Sequence, residues 1–210
     1  MRALSDTPHP RERARLRALL SRPAAEAARD LIGCVLLRRR RGRTLAARIV
    51  EAEAYLGQGD PAAHVFRGPT PRTEPLFGPP GTLYVYFVYG MHHCLNVAVD
   101  GPGVAGCVLI RAAEPLPGSG LPKTACRGPG RLCRALAIDS RLSGRHVFED
   151  DPPLTLREGR APRRVAVSRR VGIRRAAERR LRFYDPESPA VSVAPRAGIS
   201  SRKALQKGEP

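Results

Sequence analysis

Residues 82–99 read TLYVYFVYGMHHCLNVAV. β-Branched and aromatic residues dominate this stretch, which suits a pleated, half-buried surface, and a single glycine interrupts it. The pattern predicts two strands, Thr82 to Val88 and His92 to Val99, joined at Tyr89-Gly90-Met91. Tyr84 and Tyr86 then share a face, and core packing is the ordinary use of Tyr84 and Phe87 in such a strand. Tyr89 and Met91 differ, because turn tips favour small polar residues. Large side chains beside Gly90 suit a wedge pushed between stacked base pairs.

Outward from this hairpin, Gly103 to Ala112, containing VAGCVLIRA, reads as a buried strand, and Ile32 to Arg39 and Leu45 to Tyr55 as two more. Between Tyr55 and Thr82 lie the 25 residues Gly57 to Gly81, of which 11 are Gly or Pro. They predict a long irregular loop, and such loops inside compact domains usually carry function. Ala3 to Arg29 is expected to be mostly helical, with a further helix near Gly130 to Ile138. Short strands are expected around Val165 to Ile173, Leu181 to Tyr184 and Val191 to Val193. The chain of 210 residues suffices for one sizeable core. The organisation expected is a basic N-terminal segment over 1–20, one strand-rich mixed domain over 20–200, and a C-terminal tail over 201–210.

Charge narrows the partner. Lys and Arg number 37 against 19 Asp and Glu, a net +18, which points to a polyanion: nucleic acid or an acidic membrane surface. No apolar run approaches the ~18 residues of a membrane span, and five scattered cysteines, an odd number, suit a reducing cytoplasm. The charge is uneven: +9 over residues 1–48, −3 over 49–100 and +12 over 101–210. Seven of the ten Tyr and Phe residues lie between 55 and 89. Rings and carboxylates thus gather in one stretch, as in a binding surface wrapped around a separate chemical site. Cysteine and histidine spacings fit no metal site, since six residues separate Cys126 from Cys133, not two to four.

Within Arg48 to Tyr55, RIVEAEAY, the period of two places Ile49, Glu51, Glu53 and Tyr55 on one face and Arg48, Val50, Ala52 and Ala54 on the other. Two like charges on one face suit either an edge strand turned to water or acid and base work on a glycosidic bond. Arg111 closes an apolar strand and needs an anionic partner. If that partner is Glu53, the arginine keeps the carboxylate ionised for use as a general base. Asn96 either satisfies backbone groups or reads a ligand edge, and His64 would ordinarily be solvated surface.

These segments, together with Ala62-Ala63-His64, Thr70-Pro71-Arg72, Leu109 to Pro115, Gly128 to Cys133, Arg170-Val171-Gly172 and Leu181 to Tyr184, resemble the alkyladenine (3-methyladenine) DNA glycosylase family over about residues 20–196. The resemblance implies an α+β, β-rich single compact domain with a curved, mainly antiparallel sheet and a DNA-inserting hairpin. It implies Glu53 as the carboxylate that activates water, with Arg111 and the Val171 carbonyl helping to hold that water. It also implies Tyr55, His64 and Tyr86 as an aromatic box around a flipped base, and Asn96 as a filter against guanine. Tyr89 and Met91 would fill the gap in the duplex, and Thr70 and Arg72 would meet its backbone. Glu51 receives no role. The partner implied is double-stranded DNA containing damaged purines, met by a monomer without cofactor, metal or membrane. With no Lys between 49 and 115, a Schiff-base lyase step lacks an amine. The alternative is a basic nucleic-acid-binding protein without catalysis.

Overall fold

The structure, a computed structural model, describes residues 8–88, 90–101 and 103–192. Helices α1 (Pro10–Leu20) and α2 (Ala24–Asp30) precede strands β1 (Val35–Arg40), β2 (Arg43–Tyr55), β3 (Leu83–Val88), β4 (His92–Val99) and β5 (Gly106–Pro115). Helix α3 (Pro129–Ala135) and strands β6 (Leu154–Arg157), β7 (Ala166–Ser168) and β8 (Arg182–Tyr184) follow. All strands join one antiparallel sheet in the order β3-β4-β5-β2-β1-β6, with β8 beside β2 and β7 beside β8. The architecture is α+β and β-rich, as expected.

Strand β2, 13 residues long, organises the sheet. Its one edge pairs with β5; the other pairs with β1 over Arg43 to Arg48 and then with β8 over Glu51 to Glu53. Its register with β5 slips twice. Ile49 faces Ala113 and Glu51 faces Ala112, leaving Val50 extra on β2; Ala52 then faces Ile110, leaving Arg111 extra on β5. Such bulges bend a strand and locally increase its twist, which suits the curl of this sheet. They also correct the expected faces. Ile49 joins Ala52 and Ala54 in the main core, whereas Val50 packs with Ala112 and Tyr184 on the side of Glu51 and Glu53. Strict alternation fails here because each bulge turns two consecutive residues to one side.

The main core lies between that apolar face and the helices. Leu16 and Leu20 of α1, Ala24, Ala27 and Ala28 of α2, and Leu132 and Cys133 of α3 are buried there. The expected long N-terminal helix is two, because Pro23 lacks the N–H that would continue the first; residues 3–7 lie outside the described part. Strand β6 was not anticipated, being four residues long. Val191 and Ser192 form no strand, and Val193 lies outside the described residues. The loop after β2 contains two short 3₁₀ turns, Gly57–Gly59 and Glu74–Phe77. It leaves the sheet through Gly57, at φ +73°, where a Cβ would stand 2.0 Å from the Val104 carbonyl oxygen. Only glycine fits that passage.

Candidate active site

The second face of the sheet gathers the charged and ring-bearing side chains. Tyr84, Asn96, Leu109, Glu53 and Arg182 form one cross-strand row through β3, β4, β5, β2 and β8. Paired residues of an antiparallel sheet share a face, so rings, amide, carboxylate and guanidinium from distant parts of the chain stand side by side.

Both glutamates are completely buried, which rules out the water-facing edge strand. Glu51 is the more heavily bonded. It accepts hydrogen bonds from Arg111 Nε (2.9 Å), Arg182 Nε (2.7 Å), the Ser192 N–H (2.6 Å) and Ser192 Oγ (2.9 Å). Burial alone would raise its pKa, but Arg111, Arg182 and Ser192 overcome that and hold it below the ordinary value. The resemblance left Glu51 idle; it is the hub of this cluster.

Glu53 has fewer partners. Val171 N–H donates to Oε1 at 2.7 Å and the Tyr55 hydroxyl to Oε2 at 3.1 Å, while Arg111 Nη1 stands 3.4 Å from Oε1. Burial is the largest influence and outweighs Arg111, Val171 and Tyr55, so the pKa of Glu53 is raised. Arg111 therefore pairs with both glutamates and does not by itself drive Glu53 toward permanent ionisation. Val171 meets Glu53 through its N–H, a contact separate from the carbonyl role that the resemblance implies.

A second buried ion pair sets the position of that N–H. Arg170 holds Asp60 through both terminal nitrogens, Nη2 to Oδ1 at 2.9 Å, and also donates to the Ala54 carbonyl at 3.0 Å. Both side chains are fully buried. Asp60 further accepts from the Leu56 and Ala62 N–H groups. The Arg170 guanidinium also lies 4.6 Å from the centre of the Tyr55 ring, a cation–π distance. The pair thus ties the loop after β2 to the segment bearing Val171. Neither Asp60 nor Arg170 had been assigned a role, because their pairing spans 110 residues and leaves no local pattern.

Beside Tyr55, the neighbour of Glu53, opens a cavity of about 130 Å³, lined also by His64, Tyr84, Tyr86, Asn96 and Ile173 among others. Cavities of roughly 150 Å³ accommodate a benzene-sized ring. His64 and Tyr86 meet edge to face with centroids 4.6 Å apart, and Tyr84 and Tyr86 stack at 5.4 Å. His64 is exposed at the cavity, yet the partial burial of its ring and the nearby Arg72 lower its pKa. His64 Nδ1 lies 3.0 Å from the Tyr84 hydroxyl. Tyr84, fully buried, thus packs in the core as expected and also fixes a cavity wall. Asn96 Nδ2 donates to the Tyr84 carbonyl at 3.1 Å, satisfying a backbone group as one of its two sequence readings has it, and the residue also lines the cavity.

The rim is open and basic. Thr70 and Arg72 are exposed, and Thr70 is braced by Thr73, with Oγ1 atoms 2.9 Å apart. Met91 is 71% exposed, and Phe87, expected in the core, is instead 54% exposed, an unusual exposure for apolar side chains at a hairpin end. Tyr89 lies outside the described residues. Among the described residues no group of three or more His, Cys, Asp or Glu could hold a metal ion, and no helix is long and apolar enough to cross a membrane. All five cysteines are buried and unpaired.

Residues 18–189 match the family model described as methylpurine-DNA glycosylase (MPG). The chain belongs to the methylpurine-DNA glycosylase family. Relatives agree over most of its length. A Myxococcus xanthus (strain DK1622) protein, provisionally named 3-methyladenine DNA glycosylase, is 44% identical over 183 residues, 85% of this chain and 93% of that protein. A Synechococcus elongatus (strain ATCC 33912 / PCC 7942 / FACHB-805) protein of the same provisional name is 46% identical over 179 residues, 83% of this chain and 88% of that protein. The DNA-3-methyladenine glycosylase of Mus musculus is 44% identical over 203 residues, covering 83% of this chain and 60% of the mouse protein. The matched segment of this glycosylase-family chain contains every residue of the buried cluster except Ser192.

Proposed function

We propose that this chain is a monofunctional DNA-repair hydrolase. It takes an alkylated purine such as 3-methyladenine out of the duplex, cleaves its N-glycosidic bond with a water activated by Glu53, and leaves an abasic site. Tyr55 carries the reading: its ring lines the cavity and its hydroxyl rests on Glu53, so the ring-walled cavity and the buried carboxylate form one site.

An N3- or N7-alkylated purine bears positive charge, so electron-rich rings attract it by stacking and cation–π interaction. The same charge weakens the glycosidic bond and lets the base depart neutral, without a general acid. What remains is to orient a water and stabilise an oxocarbenium-like centre. Glu53 does both: it accepts the water proton as the oxygen bonds to C1′, and its charge faces the sugar. Tyr55, His64 and Tyr86 enclose the base, and Asn96 rejects guanine by collision with its 2-amino group. Met91 and Tyr89 fill the vacated stack, and Thr70 and Arg72 grip the backbone. Hypoxanthine and ethenoadenine share the flat purine outline and are the next substrates to try. A non-catalytic binder would have no use for a carboxylate buried against the cost of its charge.

Incubating the protein with methylated duplex DNA tests the reading: free 3-methyladenine and alkali-labile abasic sites are expected, and an unchanged duplex would refute it. Binding should weaken steeply with salt, as arginine contacts to phosphates require, whereas base release from the bound complex should not.

A further inference from the structure

Glu51 is the strongest feature left without a task by the reaction just described. It is buried, bonded by four donors, and joined to Glu53 through a shared arginine. Both backbone irregularities of β2 and β5 lie beside it: Val50 is extra on β2 and Arg111 on β5. The first turns Val50 and Glu51 to one side; the second does the same for Arg111 and Ala112. The sheet departs from regular pairing at the place that brings Glu51 and Arg111 to Glu53.

The geometry of Arg111 is asymmetric. A guanidinium facing a lone carboxylate normally closes on it with two parallel hydrogen bonds. Here Nε is taken by Glu51 at 2.9 Å, Nη2 reaches Ser192 Oγ at 3.4 Å, and Nη1 stops 3.4 Å from Glu53. Glu51 is in turn fixed from the other side by Arg182 Nε and the Ser192 N–H, so it cannot yield Arg111 to Glu53.

Building on the function proposed above, we propose that Glu51 is a positioning residue for the hydrolysis: it holds Arg111 by the Nε edge, preventing bidentate closure on Glu53, so that Glu53 remains a free proton acceptor. A carboxylate clamped by arginine is a weak base, and a buried one without any cation would stay protonated. Sharing one arginine between two glutamates puts Glu53 between these extremes. The other groups facing Glu53 are Tyr55 on its own strand, Cys94 from β4, Arg170 beside Val171, and Arg182, its cross-strand partner on β8. In line with this geometry, burial raises the pKa of Glu53, Arg111 opposes it and Glu51 adds to it.

The test is the pH dependence of single-turnover base release by Glu51→Gln, which removes the charge and keeps the shape. With Glu51 neutral, Arg111 serves Glu53 alone. The acid limb should then move about one pH unit lower and the plateau fall about tenfold, while affinity for lesion duplex is retained. Glu51→Asp, which keeps the charge, should leave the limb in place. An unmoved limb in Glu51→Gln, or one moved upward, overturns the proposal. The amide also turns a donor toward the Ser192 N–H or the two arginines, so this variant risks misfolding. A second measurement therefore uses the unaltered protein: titration of its ¹³C-labelled glutamate carboxyls by NMR. Glu53 should take up its proton above the ordinary glutamate range and Glu51 below it; the reverse order overturns the proposal. If the unaltered protein releases no base, the proposed function fails, and the NMR titration still decides the relation between the two glutamates.

Discussion

Strands β2 to β5 present two faces. One carries Ile49, Ala52, Val85, Leu95, Val97 and Ile110 against the helices, a dry apolar contact of the kind that stabilises any domain of this size. The other carries Glu51, Glu53, Tyr55, Tyr84, Asn96 and Arg111, nearly all as deeply buried as the first set. Only the first is what folding asks for. The second takes at least three charges out of water, and hydrophobic residues of similar size would serve stability as well or better. Its excess of polar, ring-bearing groups is what the proposed reaction on a flat, cationic base would require. Burial is thus common to both faces, and the cost accepted for it marks the site.

That contrast can be broken by substitution. The largest loss is expected from Arg170→Ala, which strands Asp60 in the interior. Breaking a buried pair costs about 3–5 kcal/mol, and because Val171 follows Arg170, excision should collapse along with stability. Chemical denaturation and an excision assay at low temperature would check both. On the apolar face, Leu95→Ala, at a fully buried position, should cost about 2–5 kcal/mol by denaturation yet leave the rate of base release near normal while the protein is folded. A comparable rate loss in both variants would show that the faces are not functionally distinct.

Titration sharpens the comparison further. Glu51 and Asp60 have lowered pKa values, so the stability they contribute is present above their unfolded values and lost only as pH falls through the lower, folded ones. Glu53 is shifted the other way and takes up its proton first. Base release should therefore fall about tenfold per pH unit on the acid side while circular dichroism still reports a folded chain. Simultaneous loss of activity and fold would contradict this. The smallest effect is expected from Tyr84→Phe, which removes the hydroxyl 3.0 Å from His64. It should slow excision up to about tenfold, in line with one hydrogen bond of about 0.5–1.5 kcal/mol, with little change in Tm.

Which parts of this were legible beforehand follows from how far each interaction reaches along the chain. The hairpin of β3 and β4, the buried run in β5 and the core of β2 announce themselves by period and composition, since alternation is a local property. The bulges at Val50 and Arg111 do not, because an extra residue in a ladder is defined by the partner strand. Period two therefore put Ile49 beside Glu51. The partners of Glu51 lie 60, 131 and 141 residues away, so its hub role was invisible while Glu53, Tyr55 and Tyr86 could be carried over from a family resemblance. The resemblance named residues singly; the structure adds the links between them, through Arg111, Arg170 and Tyr84.

The central claim is that Glu53 is the group that activates water in a site otherwise built to hold the base. The most direct measurement is paired binding and single-turnover excision by Glu53→Gln on a duplex carrying one 3-methyladenine. Binding within a few-fold of the unaltered protein and base release reduced about 10²–10⁴-fold or more are predicted. Base release at the original rate with undiminished binding would contradict the claim.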